Sequence, residues 1–120
     1  MHQIGALNTF QYMLDRVSDE GCFVFMSSAI TRLKDQFPPF LQAHYHASVI
    51  GALDFLVDGM RQDPAVIERR IKIHRIAPAA VDTPFHATGP KPPKLIPVGE
   101  VVEEIIKALQ SEEVVDKQII

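Results

Sequence analysis

The feature that most limits the fold of this 120-residue chain is a run of five apolar residues, Cys22-Phe23-Val24-Phe25-Met26, directly after Gly21. The run is too short for a buried helix and is rich in aromatic side chains. It carries no alternating polar residue to face water. The expectation is a strand covered on both faces, as in the interior of a parallel sheet. A second strand is expected at Ile71-Lys72-Ile73-His74-Arg75-Ile76, where apolar and polar residues alternate, with Ala77-Pro78 ending it. Parallel strands need a long crossover, usually a helix. Residues 44–60 supply one, with Ala47, Ile50, Leu53, Val57 and Met60 at helical spacing.

The remaining segments extend the same pattern. Ile4, Leu7, Phe10 or Gln11, and Leu14 mark one face of an opening helix that stops near Asp19-Glu20-Gly21. Asp63-Pro64 reads as the N-cap and first residue of a short helix through Glu68. Val98, Val101, Val102, Ile105, Ile106 and Leu109 place a further helix near the end, with all six on one side. Val114-Val115 and Ile119-Ile120 predict a last strand around Asp116-Lys117. Residues 83–97 are proline-rich and read as a surface excursion. Helices alternating with strands give an α/β class: one domain, residues 1–120, with a parallel sheet of about three strands, flanking helices and right-handed crossovers. Ligands of such sheets sit beyond the carboxyl ends of the strands. That edge holds Ser27, Ser28 and residues 77–83.

Several function classes are excluded by composition. Lys and Arg total 12 against 15 Asp and Glu, a net charge of −3, whereas a phosphate-driven nucleic-acid binder is normally basic. One cysteine allows neither an internal disulfide nor a cysteine zinc site. No stretch approaches the ~18–20 consecutive apolar residues of a membrane span. The N-terminus lacks the basic region of a signal peptide, so a cytoplasmic, reducing compartment is expected. No metal is expected either, because His44 and His46 diverge by roughly 200° on a helix and cannot share an ion with His74. The basic run Arg69, Arg70, Lys72 and Arg75 reads as a solvated helix-to-strand junction, and Cys22 as a buried packing residue.

Three segments then matter together: Val24-Phe25-Met26-Ser27-Ser28-Ala29, Tyr45-His46-Ala47-Ser48-Val49, and Ile76-Ala77-Pro78-Ala79-Ala80-Val81-Asp82-Thr83-Pro84. In this order the chain resembles the carboxyl-terminal half of a short-chain dehydrogenase/reductase, from about Gly5 to at least Pro84. The resemblance implies a partial Rossmann-like, doubly wound sheet and carbonyl/alcohol oxidoreduction with NAD(P). It makes Ser28 the residue that hydrogen-bonds the substrate carbonyl and Tyr45 the general acid/base. It assigns Pro78, Ala79, Val81 and Thr83 to the nicotinamide end of the cofactor, and substrate choice to residues 85–97. It also implies subunit pairing through helices 4–17 and 44–60, either with a second copy or with an intact relative.

The departures from that pattern are as informative as the matches. Val49 occupies the lysine position of the family's Tyr-x-x-x-Lys motif, where a cation lowers the tyrosine pKa and holds the ribose. An ordinary phenol titrates near 10, and effective general-base catalysis requires a pKa near the working pH. The family's Pro-Gly turn is Pro78-Ala79 here, and no Gly-rich phosphate-binding turn occurs in these residues. The sequence therefore predicts a related protein that is inactive alone and does not bind NAD(P) by itself. Two alternatives remain open at this point: a non-catalytic oligomerisation or regulatory subunit of an intact relative, and a cofactor-free isomerase or lyase using Tyr45. Strand 22–26, without the neighbour it has in the family, leaves unpaired N–H and C=O groups that invite another chain.

Overall fold

Gly21 ends the first turn in the computed structural model, whose described residues are 2–31, 41–84 and 94–120. A Cβ there would meet Val17 Cγ1 at 2.7 Å and the Ser18 carbonyl oxygen at 2.8 Å, so the turn closes only around glycine. Before it lies helix α1 (His2–Met13) and after it strand β1 (Cys22–Met26). A 3-10 turn (Ala29–Thr31), helices α2 (Leu41–Arg61) and α3 (Pro64–Glu68), strand β2 (Lys72–Pro78), helix α4 (Val98–Gln110) and strand β3 (Asp116–Ile119) follow. Helix α3 starts where expected: the Asp63 side chain accepts from the Ala65 N–H, and Pro64 follows it at the first helical position.

The three strands form one parallel sheet in the order β1-β2-β3. Side chains on alternate strand positions divide the core in two. Phe23, Phe25, Ile71 and Ile73 pack with Phe10, Leu53, Val57, Met60 and Val66 under α1, α2 and α3. Ile76 and Ile119, with Val24 beside them, pack with Ile96, Val101 and Ala108 under α4 on the other face. The Phe10 and Phe23 rings lie 5.5 Å apart, tilted, in the arrangement aromatic pairs favour.

The division corrects one expectation. The β1-to-β2 and β2-to-β3 connections advance in the same direction across the sheet, but α2 and α4 cover opposite faces. The two crossovers therefore have opposite hands, and one is left-handed, although about 98% of such connections are right-handed. What α4 gains is a place over β1 and β2, where it closes the face that α1 and α2 leave open.

Other differences are local. Strand β2 runs on through Pro78 and is buried from Ile73 to Pro78, because helices cover both its faces. Proline is tolerated there because its nitrogen turns to the β1 side, where β1 has already ended at Met26. Of the six apolar residues of α4 expected on one side, Val101 is buried and Ile105 half-buried, while Val98, Val102, Ile106 and Leu109 are exposed. The core-facing line runs Val101, Ile105, Ala108 instead. In α1 the line is Ala6, Phe10, Leu14 and Val17, and Ile4 is exposed. Cys22 is half-buried rather than buried, at the outer edge of the sheet.

Candidate functional site at the carboxyl edge of the sheet

All three strands end on one side, because the sheet is parallel. The Ser27 N–H still donates to the Ile76 carbonyl, 2.8 Å, so Ser28 falls level with Pro78 just past the ladder. Beyond β2, the Ala79 N–H donates to the Ile119 carbonyl at 2.8 Å. Val81 bridges Ile96, and the Asp82 and Ile96 N–H groups donate to Ile96 and Ala80 carbonyls at 2.8 Å each. These bonds pin both ends of the excursion after β2 to the sheet, with Thr83 half-buried beside them. The specificity segment expected at 85–97 lies outside the described residues from 85 to 93.

The two serines behave differently. Ser27 is buried and its hydroxyl donates to Asp54 Oδ1 at 2.6 Å, a charge-assisted bond. The Ser28 Oγ accepts from the Ile30 N–H at 3.2 Å, which opens the 3-10 turn, and its own proton has no acceptor among the described residues. Of the pair, Ser28 is the hydroxyl with a hydrogen bond left to give. Tyr45 stands on α2 with 71% of its surface exposed. It lies nine residues before Asp54, about 13 Å along the helix axis. Asp54 is level with Ser27, so the phenol sits on the stretch of α2 that extends past the strand ends. Val49, one turn further along α2, is half-buried.

Beneath this edge lies an ion network that the sequence reading missed. Arg75 on β2, read above as solvated, is buried. Its Nε donates to Asp116 Oδ1 at 2.8 Å and its Nη2 to Asp116 Oδ2 at 2.7 Å, while Nη1 stands 3.6 Å from Asp54 and 3.5 Å from Asp58. Arg61 adds a donor to Asp116 at 3.1 Å and another to the Ile73 carbonyl at 3.0 Å. The Asp116 carboxyl is held below its ordinary value, chiefly by the Arg75 hydrogen bonds. Arg69 is also not solvated: it ties the Leu14 and Val17 carbonyls and Asp19 to the end of α3. On the other face, buried His74 accepts from the Val115 N–H through Nδ1 at 2.9 Å, so its proton sits on Nε2. Desolvation, then Lys72 and Arg61, lower its pKa. The only hint in the sequence was position: Arg75 lies in the middle of a strand whose two faces are both covered, so its charge needs partners inside the protein.

Among the described residues the carboxyl edge shows no glycine-built seat for a pyrophosphate. Gly21 is committed to its turn, and Gly5, Gly51, Gly59 and Gly99 lie inside helices with open space where a Cβ would go. Among the described residues no glycine cradle meets a helix N-terminus, as a pyrophosphate seat requires. The half-buried Val49 offers a ribose neither charge nor hydrogen bond. A cleft of about 380 Å³ lies at the opposite, amino end of the sheet, with Glu20, Arg70, Lys72 and Val114 in its walls, and shares no residue with this edge. Among the described residues no group of His, Cys, Asp or Glu could hold a metal ion, and no helix is long and apolar enough to cross a membrane.

No family model and no curated protein matches the sequence. Solved structures do match. The protein lin1944 from Listeria innocua superposes with a TM-score of 0.75 at 20% identity, over 97% of this chain and 56% of its own. An alcohol dehydrogenase from the archaeon Thermococcus sibiricus, solved with 5-hydroxy-NADP, gives 0.70 at 21% identity, over 98% and 49%. A short-chain dehydrogenase from Sphingobium yanoikuyae, solved with NADPH, gives 0.64 at 18% identity, over 92% and 41%. The fold is half that of a short-chain dehydrogenase. The chain spans about half the length of these structures, and nearly all of it finds a counterpart in them.

Proposed function

We propose that this chain is the substrate-side half of a short-chain dehydrogenase, able to hold a carbonyl or alcohol group at its carboxyl edge but not to reduce or oxidise it alone. The observation that carries the reading is the division of labour between the serines. Ser27 donates its proton to Asp54, whereas Ser28, level with Pro78, gives its proton to no acceptor among the described residues. Tyr45 is the second donor, reaching the bound oxygen from α2. NAD(P) needs a phosphate seat that the described residues do not supply, and Pro78, Ala79, Val81 and Thr83 would meet its nicotinamide end. When bound, that cofactor supplies the hydride. A free, half-buried Cys22 fits the reducing interior of a cell.

The test is ligand-observed NMR with acetoin, a small hydroxyketone. Weak binding is expected, lost in Ser28→Ala and Tyr45→Phe and retained in Ser27→Ala. Binding indifferent to Ser28 and Tyr45 overturns the assignment. Exchange of acetoin α-protons, lost in Tyr45→Phe, would instead identify the cofactor-free isomerase or lyase.

A second reading has its own observation. Phe55 is 81% and Tyr12 66% exposed on α2 and α1, the two helices expected to pair between subunits. Large exposed aromatics of this kind mark interfaces. On this reading the helix pair packs on a second copy or an intact relative and the chain has a regulatory role. Sedimentation of wild type against Phe55→Glu tests it: a dimer that dissociates in the variant is expected, and a monomer in both excludes self-pairing.

A further inference from the structure

At the end of the sheet opposite the carboxyl edge, the chain enters its strands through charged turns. Strand β3 begins only at Asp116, level with Arg75, so β2 has no ladder partner on that side from Lys72 to His74. A cleft of about 380 Å³ opens at this gap, near the lower end of the range for small-molecule sites. Its apolar walls are aliphatic: Val66 and Ile67 of α3, Ile71 and Ile73 at the start of β2, and Val114 before β3. Ile67 and Val114 stay exposed there.

Both non-glycine residues with positive φ among the described residues line this cleft. Glu20, before β1, has φ 64° and Arg70, before β2, has φ 55°. The two turns are tied together: the Glu20 N–H donates to the Arg69 carbonyl at 2.8 Å, and Lys72 Nζ to the Glu20 carbonyl at 2.9 Å. Only backbone atoms of Glu20 take part, and glycine would offer the same atoms without strain. Strain of this kind gathers at functional sites, and here it keeps two charged side chains on a cleft.

Those charges are under-used within the protein. The exposed Arg70 has only a long ion pair with Glu20, at 4.0 Å, among the described residues. Glu112, on the wall that leads to β3, meets no cation among them. Lys72 has two of its three N–H donors left. Arg61, at the end of α2, gives Nε to the Ile73 carbonyl and Nη1 to Asp116, but its buried Nη2 has no acceptor among the described residues. Asp58 and Asp116 already balance Arg61, which leaves Arg70 and Lys72 against Glu20 and Glu112, a cleft of both signs and no net charge. A simple anion or cation gains little from such a field, whereas a molecule with both charges on an apolar body gains from each.

We propose that this cleft binds a small zwitterion with an aliphatic body, of the α-amino acid class. Arg70 and Lys72 take its carboxylate, Glu112 takes its ammonium group, and its side chain lies on Ile67, Ile71 and Val114. The cleft shares no residue with the carboxyl edge, so the proposal stands apart from the dehydrogenase reading.

The test titrates the isotope-labelled 120-residue protein with L-leucine and follows its amide shifts by NMR. Saturable shifts centred on Arg70, Lys72 and Val114 are expected, with a Kd in the millimolar range or tighter. Leucinamide lacks the carboxylate and N-acetyl-leucine lacks the ammonium group, so each should bind at least about tenfold more weakly. Arg70→Gly removes the guanidinium and suits the backbone, so Tm should stay within a few degrees while leucine binding falls at least about tenfold. Glu112→Gln should weaken binding similarly. Ser28→Ala and Tyr45→Phe, at the other end of the sheet, should leave leucine binding unchanged, which separates failure of this proposal from failure of the dehydrogenase reading. The two analogues act on the wild-type chain and decide the matter if a variant does not fold. Absence of saturable shifts up to about 10 mM leucine overturns the proposal. So does binding of N-acetyl-leucine or leucinamide as tight as that of leucine, undiminished binding by Arg70→Gly, or shifts centred on the carboxyl edge instead.

Discussion

Arg75 and Asp116 face each other across the β2–β3 ladder in a two-pronged ion pair, at 2.8 Å and 2.7 Å. The pair fixes the register of a strand that has little else to fix it. Strand β3 buries only Ile119, and its other ties to β2 are backbone bonds.

Removing one member leaves the other in a half-dry site. Asp116→Asn should cost about 1–2 kcal/mol, the scale of charge-assisted hydrogen bonds reduced for an aspartate side chain that is nearly half exposed. Arg75→Met leaves Asp54, Asp58 and Asp116 together without their shared cation and should cost more. Urea unfolding checks both, and equal stability of wild type and both variants contradicts the account.

Acid should loosen the same strand in two stages. The pKa of His74 is lowered by burial, then by Lys72 and Arg61, so the unfolded chain takes up a proton first as pH falls below about 6.5. Stability is complete above that value and declines below it, by at most about 1.4 kcal/mol per pH unit. Protonation also deprives the Val115 N–H of its acceptor. Asp116 contributes the second stage: its lowered pKa confers stability present above the ordinary carboxylate range and lost as pH falls through its folded value. His74→Gln keeps an acceptor without titrating. Its stability should be flat across the first window, and a wild-type profile unchanged by the substitution contradicts the assignment.

The serines should separate in stability as they do in geometry. Ser27→Ala removes a buried, charge-assisted bond to Asp54 and should cost about 1–3 kcal/mol. Ser28→Ala loses one long bond from a backbone N–H and should cost less than about 1 kcal/mol. Thermal melts of the two variants decide it; the reverse order would mean that Ser28, not Ser27, is the structural hydroxyl.

How much of this was legible beforehand depends on what each residue answers to. The run from Cys22 to Met26 gave its strand and its parallel setting, because five apolar residues admit no solvent face. Asp63-Pro64 gave the start of α3, because capping is a local interaction. The wide apolar stripe of α4 gave a helix but not its inward line. Val102 and Ile106 face out because α4 crosses to the opposite face and meets β1 and β2 along Val101, Ile105 and Ala108. The crossover hand and the Arg75–Asp116 pair depend on contacts 41 residues apart, which no window of sequence contains. At the carboxyl edge, the order of strands placed Ser27, Ser28 and residues 77–83 on one side of the sheet, whereas the bond that separates Ser27 from Ser28 appears only once Asp54 is brought beside β1.

The most direct test of the central claim, that this chain carries a substrate edge without a nucleotide seat, is titration of the purified 120-residue protein with NADPH, followed by cofactor fluorescence. The account predicts no saturable change up to about 1 mM, the weak end of specific affinities. Saturation in the micromolar range, lost in a Thr83 variant, would contradict it.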